Sequence, residues 1–142
     1  MRSPLPPEIN KLTGHIVDAA FQVHSALGPG LLESVYEVCF AAELKHQGIL
    51  FERQFALPIE YRDVALECGL RLDFLVGDLV VVELKAVEYL LDLHKAQTLS
   101  YMRLCRKPVG LLINFNVTVL RDGVKRIINP DHLRLCSSAS LR

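Results

Sequence analysis

Two acids ten residues apart, with a lysine close behind the second, are the residues of this chain best suited to chemistry. Asp73, Glu83 and Lys85 lie in the stretch Arg71-Leu-Asp-Phe-Leu-Val-Gly-Asp-Leu-Val-Val-Val-Glu-Leu-Lys85, where two apolar runs flank Gly77-Asp78. That pattern predicts a β-hairpin. Strand side chains alternate faces, so Glu83 and Lys85 point the same way. A two-residue turn at Gly77-Asp78 pairs Asp73 with Val82 and leaves Glu83 on the opposite face. A three-residue turn, Gly77 to Leu79, or a single bulge sets Asp73 directly across from Glu83. In that register two carboxylates and an ammonium share one face, with Leu72, Phe74, Val80, Val82 and Leu84 on the other. Burying such a cluster is costly unless its charges are compensated. A divalent cation held by both carboxylates would compensate them, leaving Lys85 beside it. The plainer account is a Lys85 salt bridge on a solvated sheet face, but the surrounding Val and Leu run suggests a sheet covered on both faces.

The elements that must position these groups follow from the rest of the sequence. Pro6-Pro7 opens a helix in which Ile9, Leu12, Ile16, Ala19, Val23 and Leu27 recur at helical spacing, and Gly28-Pro29-Gly30 ends it. A second helix is expected from about Leu31 to Gln47. One stripe on it is Leu32, Val35, Cys39 and Ala42; the next is Glu33, Tyr36, Phe40 and Leu44. Glu33 thus heads an inward-looking row, an odd place for a carboxylate without a partner. A first-turn acid favoured by the helix dipole, worth about 0.3–1 kcal/mol, accounts for it equally well.

Strands are expected over Phe51–Tyr61, Val64–Val76 and Leu79–Val87, then a helix over Leu90–Arg106 with His94, Gln97 and Tyr101 on one face. Three polar groups in a row could anchor a phosphate or hold a metal-bound carboxylate, although such a stripe is more often simply solvated. A buried strand, Val109–Phe115, and a closing hairpin over Val117–Ile128 with its turn at Asp122-Gly123 complete the order α-α-β-β-β-α-β-β. One mixed α/β domain over residues 1–136 is expected, with a disordered tail at 137–142.

At 142 residues and 51% hydrophobic content the chain can bury a real core. No apolar run approaches the roughly 20 residues that span a bilayer, and the N-terminus lacks a signal-peptide stretch. Cys39, Cys68, Cys105 and Cys136 are scattered without a C-x-x-C pair. They are expected to be reduced packing residues in a cytoplasm rather than a zinc site or disulfide framework. Net charge is zero but divided: residues 1–84 carry 6 Lys+Arg against 12 Asp+Glu, residues 85–142 carry 10 against 4. An acidic, metal-collecting half and a basic half would suit a metal-dependent enzyme acting on a polyanion.

Asp73 followed by Glu83-Leu84-Lys85, after a helix bearing Glu33, resembles the PD-(D/E)XK nuclease superfamily. Gln97-Thr-Leu-Ser-Tyr101 resembles the Q-x-x-x-Y element of its RecB-like and λ-exonuclease-like branches. Gly30-Leu-Leu-Glu33-Ser-Val-Tyr36 resembles the signature of the bacterial GxxExxY protein family, as do Gly110-Leu-Leu-Ile-Asn-Phe115 and Asp122-Gly-Val-Lys-Arg126 its closing segments. No Pro precedes Asp73, a departure from the superfamily's name pattern.

The resemblance implies a restriction-endonuclease-like fold, a central mixed sheet flanked by helices, and a metal-dependent nuclease acting on nucleic acid, DNA favoured. It implies Asp73, Glu83 and the Leu84 carbonyl as ligands of Mg²⁺ or Mn²⁺, hard cations suited to oxygen donors. Glu33 would be a further ligand or hold a water on the ion. Lys85 would orient or deprotonate the attacking water and stabilise developing charge. Gln97 and Tyr101 would position the scissile phosphate or buttress Glu33. Tyr36, His94, Lys95 and Arg103 would contact substrate, with Arg106 and Lys107 as further backbone contacts. Two alternatives stay open: a nucleic-acid- or protein-binding domain that kept the fold and lost turnover, and a structural protein whose charges are salt bridges. Oligomeric state is open as well, a homo-oligomer included.

Overall fold

The computed structural model describes residues 5–66 and 69–131; the tail expected at 137–142, Cys68 and Cys136 lie outside them. Helix α1, Pro7–Leu27, starts on a proline whose missing N–H costs nothing in the first turn. It ends at Gly28, whose φ of 70° suits glycine and whose amide donates to the His24 carbonyl. Ile9, Ile16, Ala19, Ala20 and Val23 form its buried stripe. Helix α2, Glu33–His46, buries Tyr36, Phe40 and Leu44, the row that Glu33 heads, while Leu32 and Val35 are exposed.

The strands that follow among the described residues are β1 Phe51–Ala56, β2 Ile59–Tyr61, β3 Val64–Leu66, β4 Arg71–Val76, β5 Val80–Lys85, β6 Val109–Asn114 and β7 Val124–Ile128. Helix α3, Asp92–Cys105, connects β5 to β6. The main sheet has the order β1-β4-β5-β6-β7, with β5 and β6 parallel and the other pairs antiparallel. A parallel pair needs a crossover, and α3 supplies it. Thr98 and Met102 seat α3 against Gly110, where a Cβ would come within 2.6 Å of the Met102 sulfur. Glycine therefore sets how closely the helix approaches the sheet.

Three expectations need correction. The strand expected over Phe51–Tyr61 breaks at Leu57-Pro58, since proline has no N–H for a ladder. The strand expected over Val64–Val76 breaks before Arg71, so β2 and β3 pair only with each other as a small ribbon. No hairpin forms over Val117–Ile128: a 3-10 turn, Leu120–Gly123, leads into β7, which pairs directly with β6.

Apolar side chains cover both faces of the sheet. Phe74, Val76, Val80, Val82, Leu84, Val109, Leu111 and Ile113 pack against α1 and α2, where Tyr36 and Phe40 lie. Leu75 and Val81 face α3 through Met102, Leu99 and Tyr101. Each such fully buried side chain is worth about 1.5–3 kcal/mol. Leu72, expected beside Phe74, instead joins the α3-side group with Leu57. Among the described residues no helix is long and apolar enough to cross a membrane.

Candidate active site

The hairpin settles the register left open by the sequence. Gly77 and Asp78 both have φ near 60°, and Val76 pairs with Val80, so Gly77 to Leu79 form a three-residue turn. Phe74 pairs with Val82; one step further out, Asp73 stands across from Glu83. The ladder stops there for a chemical reason. The Asp73 carboxylate, not a backbone carbonyl of β4, accepts the Leu84 amide at 2.8 Å.

Glu83 is the misfit of the sheet. It is 6% exposed between the fully buried Val82 and Leu84. Its Oε1 is the one buried side-chain polar atom without a hydrogen-bond partner among the described residues. Burial first, and then the neighbouring Asp73 charge, raise its pKa from 4.5 to about 9, with Lys85 opposing the rise. An orphaned oxygen on a carboxyl facing a second carboxylate calls for a proton or a cation. The two acids are hard oxygen donors, which suits Mg²⁺ or Mn²⁺. Among the described residues no three His, Cys, Asp or Glu side chains are gathered as a metal-holding group, so the pair stands by itself.

Glu33 approaches from the other layer, as the first residue of α2. Partial burial raises its pKa; Lys85 lowers it, while Asp73 and Glu37 raise it further. Those influences place the Glu33 carboxyl within electrostatic range of the strand residues. The loop before it is tied down by Tyr36, whose hydroxyl donates to the Gly28 carbonyl at 2.6 Å and accepts the Leu31 amide at 3.2 Å. Tyr36 is wholly buried and stacked on Phe115, ring centroids 4.6 Å apart. Its expected contact with substrate is therefore corrected: both the ring and the hydroxyl are engaged inside the protein.

On α3 the Gln97 amide donates to the Tyr101 hydroxyl at 2.9 Å. Tyr101 packs on the α3-side group of Leu75 and Val81, and Gln97 is exposed. His94 has a local task, its Nδ1 accepting the Leu91 amide at the helix start. Lys95 and Arg103 are exposed. Because α3 runs back along the parallel pair, its last turn lies toward the β4–β5 turn, where Lys107 pairs with Asp78 at 3.0 Å. Arg103 and Arg106 thus belong to the end of the sheet away from Lys85.

One residue escaped sequence reasoning. Asn114 stands beside Lys85 in the β5–β6 register and is 2% exposed. Its amide donates to the Val87 carbonyl at 2.9 Å and its Oδ1 accepts the Val87 amide at 3.0 Å. It also accepts the Asn116 amide. The Phe115 amide meanwhile holds the Lys85 carbonyl at 2.9 Å. Together these bonds fix the chain as it leaves the ExK segment. The available signal was an amide side chain closing an otherwise apolar run, Val109–Phe115, where a polar group needs partners.

No match is found for the chain among the curated proteins or among the solved structures. One family model, described as the PD-(D/E)XK nuclease superfamily, matches residues 10–127, from within the first turn of α1 to all but the last residue of β7, with every strand acid named above. With the mixed sheet, the flanking helices and the paired acids before an ExK lysine, the chain belongs to the PD-(D/E)XK nuclease superfamily.

Proposed function

We propose that this chain hydrolyses phosphodiester bonds in nucleic acid, DNA foremost, with Mg²⁺ or Mn²⁺ held by Asp73 and Glu83. The observation that carries this reading is the orphaned, buried Glu83 oxygen facing Asp73. A fold needs no such group, and two acids forced together are a recurrent mark of function. A bound cation would supply charge neutralisation for the phosphoryl group. Asp73 and Glu83 hold it, with the Leu84 carbonyl and Glu33 as further donors. Lys85, as an ammonium, orients the attacking water and offsets charge that develops on the phosphoryl oxygens. Gln97 and Tyr101, bonded to each other, contact the phosphate from the α3 side, and Lys95 with the more distant Arg103 adds backbone contacts.

Within the superfamily, the loop of Gly30, Glu33 and Tyr36 supports a place among GxxExxY proteins. The Gln97–Tyr101 bond supports the branch with the Q-x-x-x-Y element. Cys39 and Cys105 are free thiols, which suits a reducing compartment such as the cytoplasm. The second reading, a binding domain without turnover, draws on one observation: among the described residues no three His, Cys, Asp or Glu side chains are gathered to hold an ion.

Lys85→Ala separates the two. It should keep divalent-cation binding, since a nearby ammonium opposes a cation. Cleavage of a panel of single- and double-stranded DNA and RNA should fall roughly 10²–10³-fold, as for loss of one transition-state donor. If the wild type binds the ion yet cleaves no more than identically purified Lys85→Ala, the catalytic reading fails and the binding reading replaces it.

A further inference from the structure

The buried tyrosine of α2, Tyr36, sits at the junction between the start of that helix and the sheet. Its hydroxyl joins both sides of the Gly28-Pro29-Gly30 loop, donating to Gly28 and accepting from Leu31, two residues before Glu33. That loop uses two glycines at positive φ, 70° and 96°. Pro29 fixes φ only at its own position, and the Tyr36 hydroxyl ties the two ends of the loop together. The ring stacks nearly parallel, at 6°, on Phe115. Phe115 in turn donates its amide to the Lys85 carbonyl. From Glu33 the backbone leads to Leu31, and contacts through Tyr36 and Phe115 then reach the Lys85 carbonyl. Glu33 and Lys85 arrive from different layers of the fold.

A buried tyrosine is ordinarily explained by packing, and Phe115 satisfies that account for the ring. It does not explain the hydroxyl. A phenylalanine would fill the same space, so the hydroxyl needs a reason of its own. The hydroxyl matters for what it holds still.

We propose that Tyr36 is a positioning residue: its hydroxyl bridge fixes the start of α2 so that Glu33 is presented to the Asp73–Lys85 site. This rests on the reading of Glu33 as part of a cation site. Groups that orient a metal-holding side chain typically change affinity by 10–100-fold when removed, and Tyr36, acting through the backbone, belongs at the lower end.

The test is a double-mutant cycle on the full chain, with Mn²⁺ alone as the probe in calorimetric titration. Tyr36→Phe keeps the stack and should weaken Mn²⁺ binding by roughly tenfold. In a Glu33→Gln background the same change should have no further effect on the ion, although any loss in melting temperature should persist. Equal weakening in both backgrounds overturns the proposal, as does a Tyr36→Phe protein that binds like wild type while Glu33→Gln is impaired. A second measurement distinguishes failure of the underlying reading. If Glu33→Gln itself binds Mn²⁺ normally, Glu33 has no role at the ion, and the proposal falls with it. Amide exchange then still reports the lock: faster exchange at Leu31 and Glu33 in Tyr36→Phe, with the sheet unchanged, shows a bridge that serves the loop alone.

Discussion

Ion binding should be coupled to a proton at Glu83, and the structure sets both the sign and the size. Burial and Asp73 raise this carboxyl from 4.5 to about 9. At pH 7 the metal-free protein therefore keeps Glu83 protonated. Ionising it costs about two pH units at 1.36 kcal/mol each, or about 3 kcal/mol. A cation that takes both carboxylates must displace this proton. Affinity should accordingly rise about tenfold per pH unit below about pH 9, with about one proton released per ion. Folding stability of the metal-free protein runs the opposite way. The folded state holds the proton up to about 9 and the unfolded chain releases it above 4.5, so stability is greatest below the lower value and falls as pH rises through the higher one. Glu83→Gln, a neutral mimic of the protonated acid, should remove that fall and abolish ion binding. Mg²⁺ titrations in buffers of different ionisation enthalpy, between about pH 6 and about pH 8, count the proton directly. An affinity independent of pH over that range, with no proton released, would refute the pairing of Glu83 with Asp73 as the cation site.

Two further tests address the supports of the site. Asn114→Leu keeps the branched side-chain shape but strips the Val87 and Asn116 amides of their acceptor and leaves the Val87 carbonyl only the Asn116 side-chain amide at 3.4 Å. At about 1–3 kcal/mol for each unpaired amide it should cost about 2–6 kcal/mol by urea unfolding, and a loss within error of zero would remove the clamp. At Gly123 a Cβ would run into the Asn114 carbonyl oxygen, a backbone atom that cannot swing away. Gly123→Ala should destabilise by about 1–3 kcal/mol in thermal unfolding, whereas an unchanged melting temperature would mean that this approach is not tight.

Periodicity and local chemistry were sufficient for much of the architecture. Proline and glycine bracket α1 within the same residues that the structure shows, and the row Tyr36, Phe40, Leu44 was legible as the inward face of α2 because helical spacing is a property of the chain alone. The apolar runs around Gly77-Asp78 specified a hairpin, and Glu83 with Lys85 shared a face by alternation. Long-range geometry could not be read in that way. Two turn lengths fit the same residues, and only the covered sheet, with the Leu84 amide turned to Asp73, selects the one that opposes the acids. Tyr36 and Asn114 carry the same limit. The helical row and the apolar strand were legible, but not the hydrogen bonds, whose partners lie eight residues away in one case and 27 in the other. Hydrogen-bond partners brought together by folding leave no mark at the spacing of a helix or strand. The types of the reacting groups are thus a matter of sequence, while their meeting depends on packing two layers against one sheet.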